Sequence, residues 1–94
     1  MKKSYREVKN RITMENKTLF LGNLCPNITE DELAEQFSYF GRIRFIRLVK
    51  EKGIGFVRMA TAEAAYYARL GLNGVQLNGR QIRVQEARTR KKPK

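Results

Sequence analysis

From Thr18 to Glu86 the spacing of apolar residues changes period in a definite order. Thr18 to Leu24 is short and rich in Leu and Phe, and it breaks at Pro26-Asn27, which predicts a strand. Thr29-Glu30-Asp31-Glu32 reads as a helix start, with Thr29 placed to cap, Glu32 to bond back and Ile28 to staple against Leu33. Leu33, Phe37 and Phe40 then recur at helical spacing, and Gly41 is expected to supply a left-handed stop. Ile43 to Val49 predicts a second strand, Lys50-Glu51-Lys52-Gly53 a short turn, and Ile54 to Met59 a third strand antiparallel to the second. Thr61 opens a second helix whose narrow stripe is Ala62, Ala65, Ala68 and Leu72, and Asn73-Gly74 ends it. Val75 to Leu77, Asn78-Gly79 and Gln81 to Gln85 predict a small hairpin leading into a last strand.

The order is β-α-β-β-α-β, an α+β ferredoxin-like sandwich: a four-stranded antiparallel sheet with two helices on one face. The other face is left without a helix, and strand alternation decides what it displays. Leu19 and Leu21 point to the helices, so Phe20 points outward. Gly55, Val57 and Met59 point inward, so Ile54, Phe56 and Arg58 point outward. Ile46 and Leu48 share the inner face, so Phe45, Arg47 and Val49 share the outer one, and the last strand adds Arg83 and Gln85. A one-residue slip would expose Leu19, Leu21 and Val57 and bury Arg58, which costs more than the assigned register. Aromatics set among cations on an open sheet suit stacking under unpaired nucleobases, each stack worth about 1–3 kcal/mol.

Charge sharpens that picture. The formal net charge is +11 over 94 residues, which predicts polyanion partners. Residues 1–17 carry six Lys/Arg against two acids, and residues 88–94 carry five and no acid. The body between them holds nine basic and seven acidic side chains, so the flanks are the basic segments. The chain is therefore expected to divide into a basic, flexible N-terminal arm (1–17), a folded domain (18–87) and a basic C-terminal tail (88–94). There is no histidine, and the single Cys25 suits a loop thiol in a reducing compartment. Glu30, Asp31, Glu32 and Glu35 fit a helix start better than a catalytic or metal cluster. No enzyme, metal or cofactor is expected, and no apolar run reaches the length of a membrane span.

Two short stretches carry a resemblance. Leu19-Phe20-Leu21-Gly22-Asn23-Leu24 resembles the six-residue second motif of the RNA recognition motif family. Lys52-Gly53-Ile54-Gly55-Phe56-Val57-Arg58-Met59 resembles its eight-residue first motif at six of eight positions. The resemblance covers about residues 18–87. It implies stacking residues at Phe20 and Phe56, a phosphate contact at Lys52 and base-edge contacts at Gln85 and Glu86. Ile54 departs from a usual aromatic and weakens one platform, which Phe45 is placed to offset. Met59 replaces an aromatic at a core-facing position. Thr18–Gly41 and the short turn before Gly53 are also similar to the first such motif of the DBHS family of nuclear proteins.

The RNA-contacting set implied by the outer face and the resemblance together is Phe20, Asn23, Phe45, Arg47, Lys52, Ile54, Phe56, Arg58, Arg83, Gln85, Glu86 and Arg88. The expected partner is single-stranded RNA, about two to four nucleotides of it, in RNA processing or regulation in the nucleus or the cytoplasm. Single-stranded DNA would stack on the same rings. The rival reading is a protein-interaction module using the helix face around Tyr66 and Tyr67, with nonspecific charge attraction by the flanks. Family members that bind tryptophan-containing ligands usually carry Arg-x-Phe after the second helix, where this chain has Asn73-Gly74-Val75-Gln76. The domain is expected to be a monomer in isolation.

Overall fold

The computed structural model describes residues 16–87. Strands β1 (Thr18–Gly22), β2 (Ile43–Val49), β3 (Ile54–Met59) and β6 (Arg83–Glu86) form one antiparallel sheet in the order β2-β3-β1-β6. Helices α1 (Glu30–Phe37) and α2 (Ala62–Leu72) connect them. A separate two-stranded ribbon, β4 (Gln76–Leu77) with β5 (Arg80–Gln81), leads into β6. No helix among the described residues is long and apolar enough to cross a membrane.

Helix α1 begins where its sequence signal lies. The Thr29 hydroxyl accepts from the Glu32 N–H at 3.1 Å, and the Thr29 N–H donates to Glu32 Oε1 at 3.0 Å. Thr61 caps α2 by accepting from the Ala64 N–H at 3.0 Å. Replacing such a cap by alanine typically costs about 1 kcal/mol. The sheet contributes Leu19, Leu21, Val57, Met59 and Val84 to the core, α1 adds Leu33 and Phe37, and Leu24 and Ile28 close the end near the β1–α1 loop. Full burial of each such aliphatic side chain is worth about 1.5–3 kcal/mol.

Three expectations are corrected. Helix α1 stops at Phe37 with Ser38 still in the right-handed region, so Gly41 is not its left-handed cap. Gly41, at φ +154°, lies instead where a side chain would meet Ala64 Cβ at 2.7 Å, so its glycine serves the close approach of the α1–β2 corner to α2. Phe40 falls beyond the helix, and its ring lies over Gly71 of α2, where an added Cβ would meet it at 2.6 Å. The buried face of α2 is Ala64, Ala65, Ala68 and Leu72; Ala62, in the first turn, is only half-buried.

The last strand also differs in extent. Asn78 (φ 52°) and Gly79 (φ 88°) do form the expected turn with positive φ at both positions. The run from Gln81, however, splits at Ile82, whose N–H donates to Val75 O at 2.9 Å, and only Arg83–Glu86 joins the main sheet. Asn73 Oδ1 accepts the Val84 N–H at 2.9 Å, which pins the α2–β4 loop along the outer edge of β6.

Gly41→Ala combines an unfavourable φ with a contact far inside the normal Cβ limit, so it should destabilise the domain by about 1–3 kcal/mol. Urea unfolding measures this, and a loss below about 0.5 kcal/mol would be in the range of an ordinary surface substitution and contradict the packing described.

Candidate nucleic-acid interface

The outer face is built from laterally paired residues. Phe20 on β1 lies opposite Phe56 on β3 and, on its other side, opposite Gln85 on β6. Phe56 in turn lies opposite Arg47 on β2. Arg47, Phe56, Phe20 and Gln85 thus form one row across all four strands, about 14 Å long at a strand spacing of about 4.8 Å. A second row holds Phe45, Arg58 and Thr18, and Val49 faces Ile54 on the other side of the first.

The two central aromatics are half-buried because they pack on each other. Their ring centroids are 5.6 Å apart at an interplanar angle of 60°, an edge-on pair worth about 0.5–1.5 kcal/mol beyond its buried area. Their register is fixed from beneath: Leu19 opposite Val57 and Leu21 opposite Gly55 are all fully inside. Phe45 is 46% exposed, and Arg47, Arg58, Arg83 and Gln85 are exposed around the pair. Lys52 is exposed at the end of a 3-10 turn, Lys50–Lys52, closed by Gly53 in the left-handed conformation at φ 67°. The Gly53 carbonyl accepts the Leu24 N–H at 2.9 Å, which joins the two sequence motifs end to end.

Three residues of the sequence set stand apart. Asn23, left-handed at φ 58°, is exposed beyond the end of β1, and its amide donates to Gln81 O at 2.7 Å. Glu86 pairs with the core residue Leu19, so alternation puts it on the helix side, opposite to Gln85. Burial and register thus separate two neighbours that the motif comparison treats alike. Arg88 lies outside the described residues, as do residues 1–15 of the basic arm and the rest of the tail.

Residues 19–83 match the sequence model of the RNA recognition motif. The chain is 33% identical over 87 residues to the cytotoxic granule-associated RNA binding protein tiar-1 of Caenorhabditis elegans, covering 93% of this chain and 21% of that protein. It is 39% identical over 74 residues to the polyadenylate-binding protein RBP45A of Arabidopsis thaliana, covering 79% and 19%. Among solved structures it resembles the C. elegans NONO-1 homodimer, at a TM-score of 0.72 and 39% identity over 76% of this chain and 28% of that one. That likeness is consistent with the DBHS resemblance seen in the sequence. The chain spans about a fifth of the length of these curated relatives.

One outer-face residue escaped the reading by alternation. Ile43 pairs with the buried Met59, and both Ile43 and Ile46 pack on the core although they are an odd number of residues apart. The register shifts between Ile43 and Phe45, a bulge in which Arg44 and Phe45 together oppose Arg58. Arg44 is therefore delivered beside Phe45, Arg47 and Arg58, where strict alternation would have placed it under the sheet. Arg44→Ala should reduce the log–log salt slope for a single-stranded nucleic acid by about 0.7, one phosphate contact. Arg69→Ala on α2 removes the same charge from the helix side and should leave the slope unchanged; equal slopes for the two variants would place Arg44 off the path.

Proposed function

The chain belongs to the RNA recognition motif family, and on that footing we propose that it binds single-stranded RNA across the outer face of its sheet. The observation that carries this reading is the four-strand row Arg47, Phe56, Phe20 and Gln85. Two aromatic rings at its centre offer stacking surfaces that any base can use. A guanidinium at one end attracts phosphate, and an amide at the other can meet a base edge. The relatives named above include an RNA binding protein and a polyadenylate-binding protein, which agrees with the same ligand class.

The contacting set on this proposal is Phe20, Phe45, Arg47, Lys52, Ile54, Phe56, Arg58, Arg83 and Gln85, joined by Arg44. Ile54 gives an apolar contact in place of a third ring. Asn23 acts by shaping the end of β1, and Glu86 stands on the other side of the sheet. The folded unit is assigned to residues 18–87, and the basic segments on either side add phosphate contacts through their charge. Single-stranded DNA is accepted on the same rings. The role is binding in RNA processing or regulation, in the nucleus or the cytoplasm, with no reaction catalysed.

A second reading has one observation of its own. Tyr67 (57% exposed) and Leu70 (54% exposed) lie three residues apart on α2, and Tyr66 packs edge-on against Tyr67 with its centroid 5.1 Å away. A protein partner on this helix face is compatible with RNA on the opposite face.

Phe56→Ala tests the leading reading. Loss of one stacking ring should weaken binding of a short single-stranded RNA by about 5- to 150-fold, the equivalent of 1–3 kcal/mol. The domain should stay folded, because the Phe56 side chain lies outside the core cluster. Unchanged affinity in a folded variant would remove the sheet face from the binding site.

A further inference from the structure

Next to the aromatic row lies a recess that stacking does not use. Its volume is about 460 Å³, within the usual range for small-ligand sites. Asn23 lines it from the end of β1, Asn73 and Gly74 from the α2–β4 loop, Gln81 from β5, and Arg83 and Gln85 from β6. It is continuous with the row: Gln85 lies opposite Phe20, and Arg83 lies opposite Gly22. The Phe20 ring and Arg83 Cβ both approach Gly22, at 3.6 and 3.7 Å from where a side chain would begin, so they share one floor.

The walls are tied in place. The Asn23 amide is committed to Gln81 O at 2.7 Å, Asn73 Oδ1 to the Val84 N–H at 2.9 Å, and the Gly74 N–H to Ile82 O at 2.8 Å. Gln81, Arg83 and Gln85 are exposed and alternate with buried Ile82 and Val84, so the three point to one side. Among the described residues none of these three side chains takes part in a hydrogen bond within the domain. A guanidinium and two amides, held in a fixed frame beside a stacking ring and uncommitted themselves, form a set of hydrogen-bonding groups in need of a planar polar partner.

Resting on the RNA-binding reading above, we infer that this recess reads the edge of one nucleobase next to the base stacked on Phe20, and that the base is guanine. The guanidinium fork of Arg83 matches the adjacent O6 and N7 acceptors of guanine; unpaired cytosine also offers a fork two adjacent acceptors, O2 and N3, but beside them it has a single donor group, its amino group, where guanine has two. The side-chain carbonyls of Gln81 and Gln85 can accept from the N1–H and the amino group of the same base. Selectivity follows because a base that leaves these groups unpaired inside the recess forfeits their hydrogen bonds.

The test compares short uridine-tract RNAs, unsubstituted or carrying one central guanine, adenine or cytosine, by fluorescence anisotropy at fixed salt. The wild-type chain should bind the guanine-containing RNA about tenfold or more tightly than the others. In Arg83→Lys, which keeps the charge and loses the fork, the ratio of affinities should fall towards one. No guanine preference in the wild type, a preference for another base, or a guanine preference that survives Arg83→Lys would each overturn the assignment. Uridine-tract binding that weakens in Phe56→Ala, without any base preference, would refute the recess and leave the sheet-face reading standing. Binding insensitive to Phe56→Ala would refute both.

Discussion

The antiparallel pairing of β1 with β3 governs both sides of the sheet at once. Leu19 opposite Val57 drives apolar surface into the helices, and the same pairing sets Phe20 opposite Phe56 on the open side. Because side chains alternate strictly, the two outcomes cannot be separated: a slip of one residue would put the leucines in water and the aromatics under α2. The core therefore supplies the energy that holds an otherwise costly pair of half-exposed rings in place. The open face inherits its geometry from the buried one. Strands on either side extend the arrangement, β2 bringing Arg44 and Arg47 and β6 bringing Arg83 and Gln85.

Charge follows the same division. The exposed cations Arg44, Arg47, Arg58 and Arg83 lie on strands of the open sheet, whereas Glu30, Asp31, Glu32 and Glu35 gather at α1 and Glu63 in the first turn of α2. Acids at helix starts complement the helix dipole. They also leave the helix side less attractive to a polyanion than the sheet side, so a domain body of nearly balanced charge still presents two electrostatically different faces.

What the sequence made legible was whatever depends on local pattern. Phe20 and Phe56 could be placed because each sits between two residues that must be buried, and Thr29 with Glu32 marks a helix start without help from elsewhere. Asn78-Gly79 is similarly self-contained. The misplacements arise where a distant contact decides. Gly41 looks like a helix stop, but its smallness answers to Ala64, more than twenty residues away. The bulge at Arg44 is set by where Met59 needs an apolar partner, which no window on β2 reveals. Glu86 adjoins Gln85 in sequence, and only the pairing with Leu19 turns it to the other face. The recess beside β6 was invisible for the same reason, being assembled from four separate elements.

The central claim is that the open sheet face is the RNA-binding surface, and an NMR titration of the isotope-labelled chain with a short mixed-sequence single-stranded RNA at moderate salt tests it most directly. Shifts should concentrate at Phe20, Phe45, Arg47, Phe56 and Gln85, with Tyr67 and Leu70 on α2 unmoved. Shifts confined to the helix face, or to residues outside 18–87, would contradict the account and reduce the sheet aromatics to a structural role.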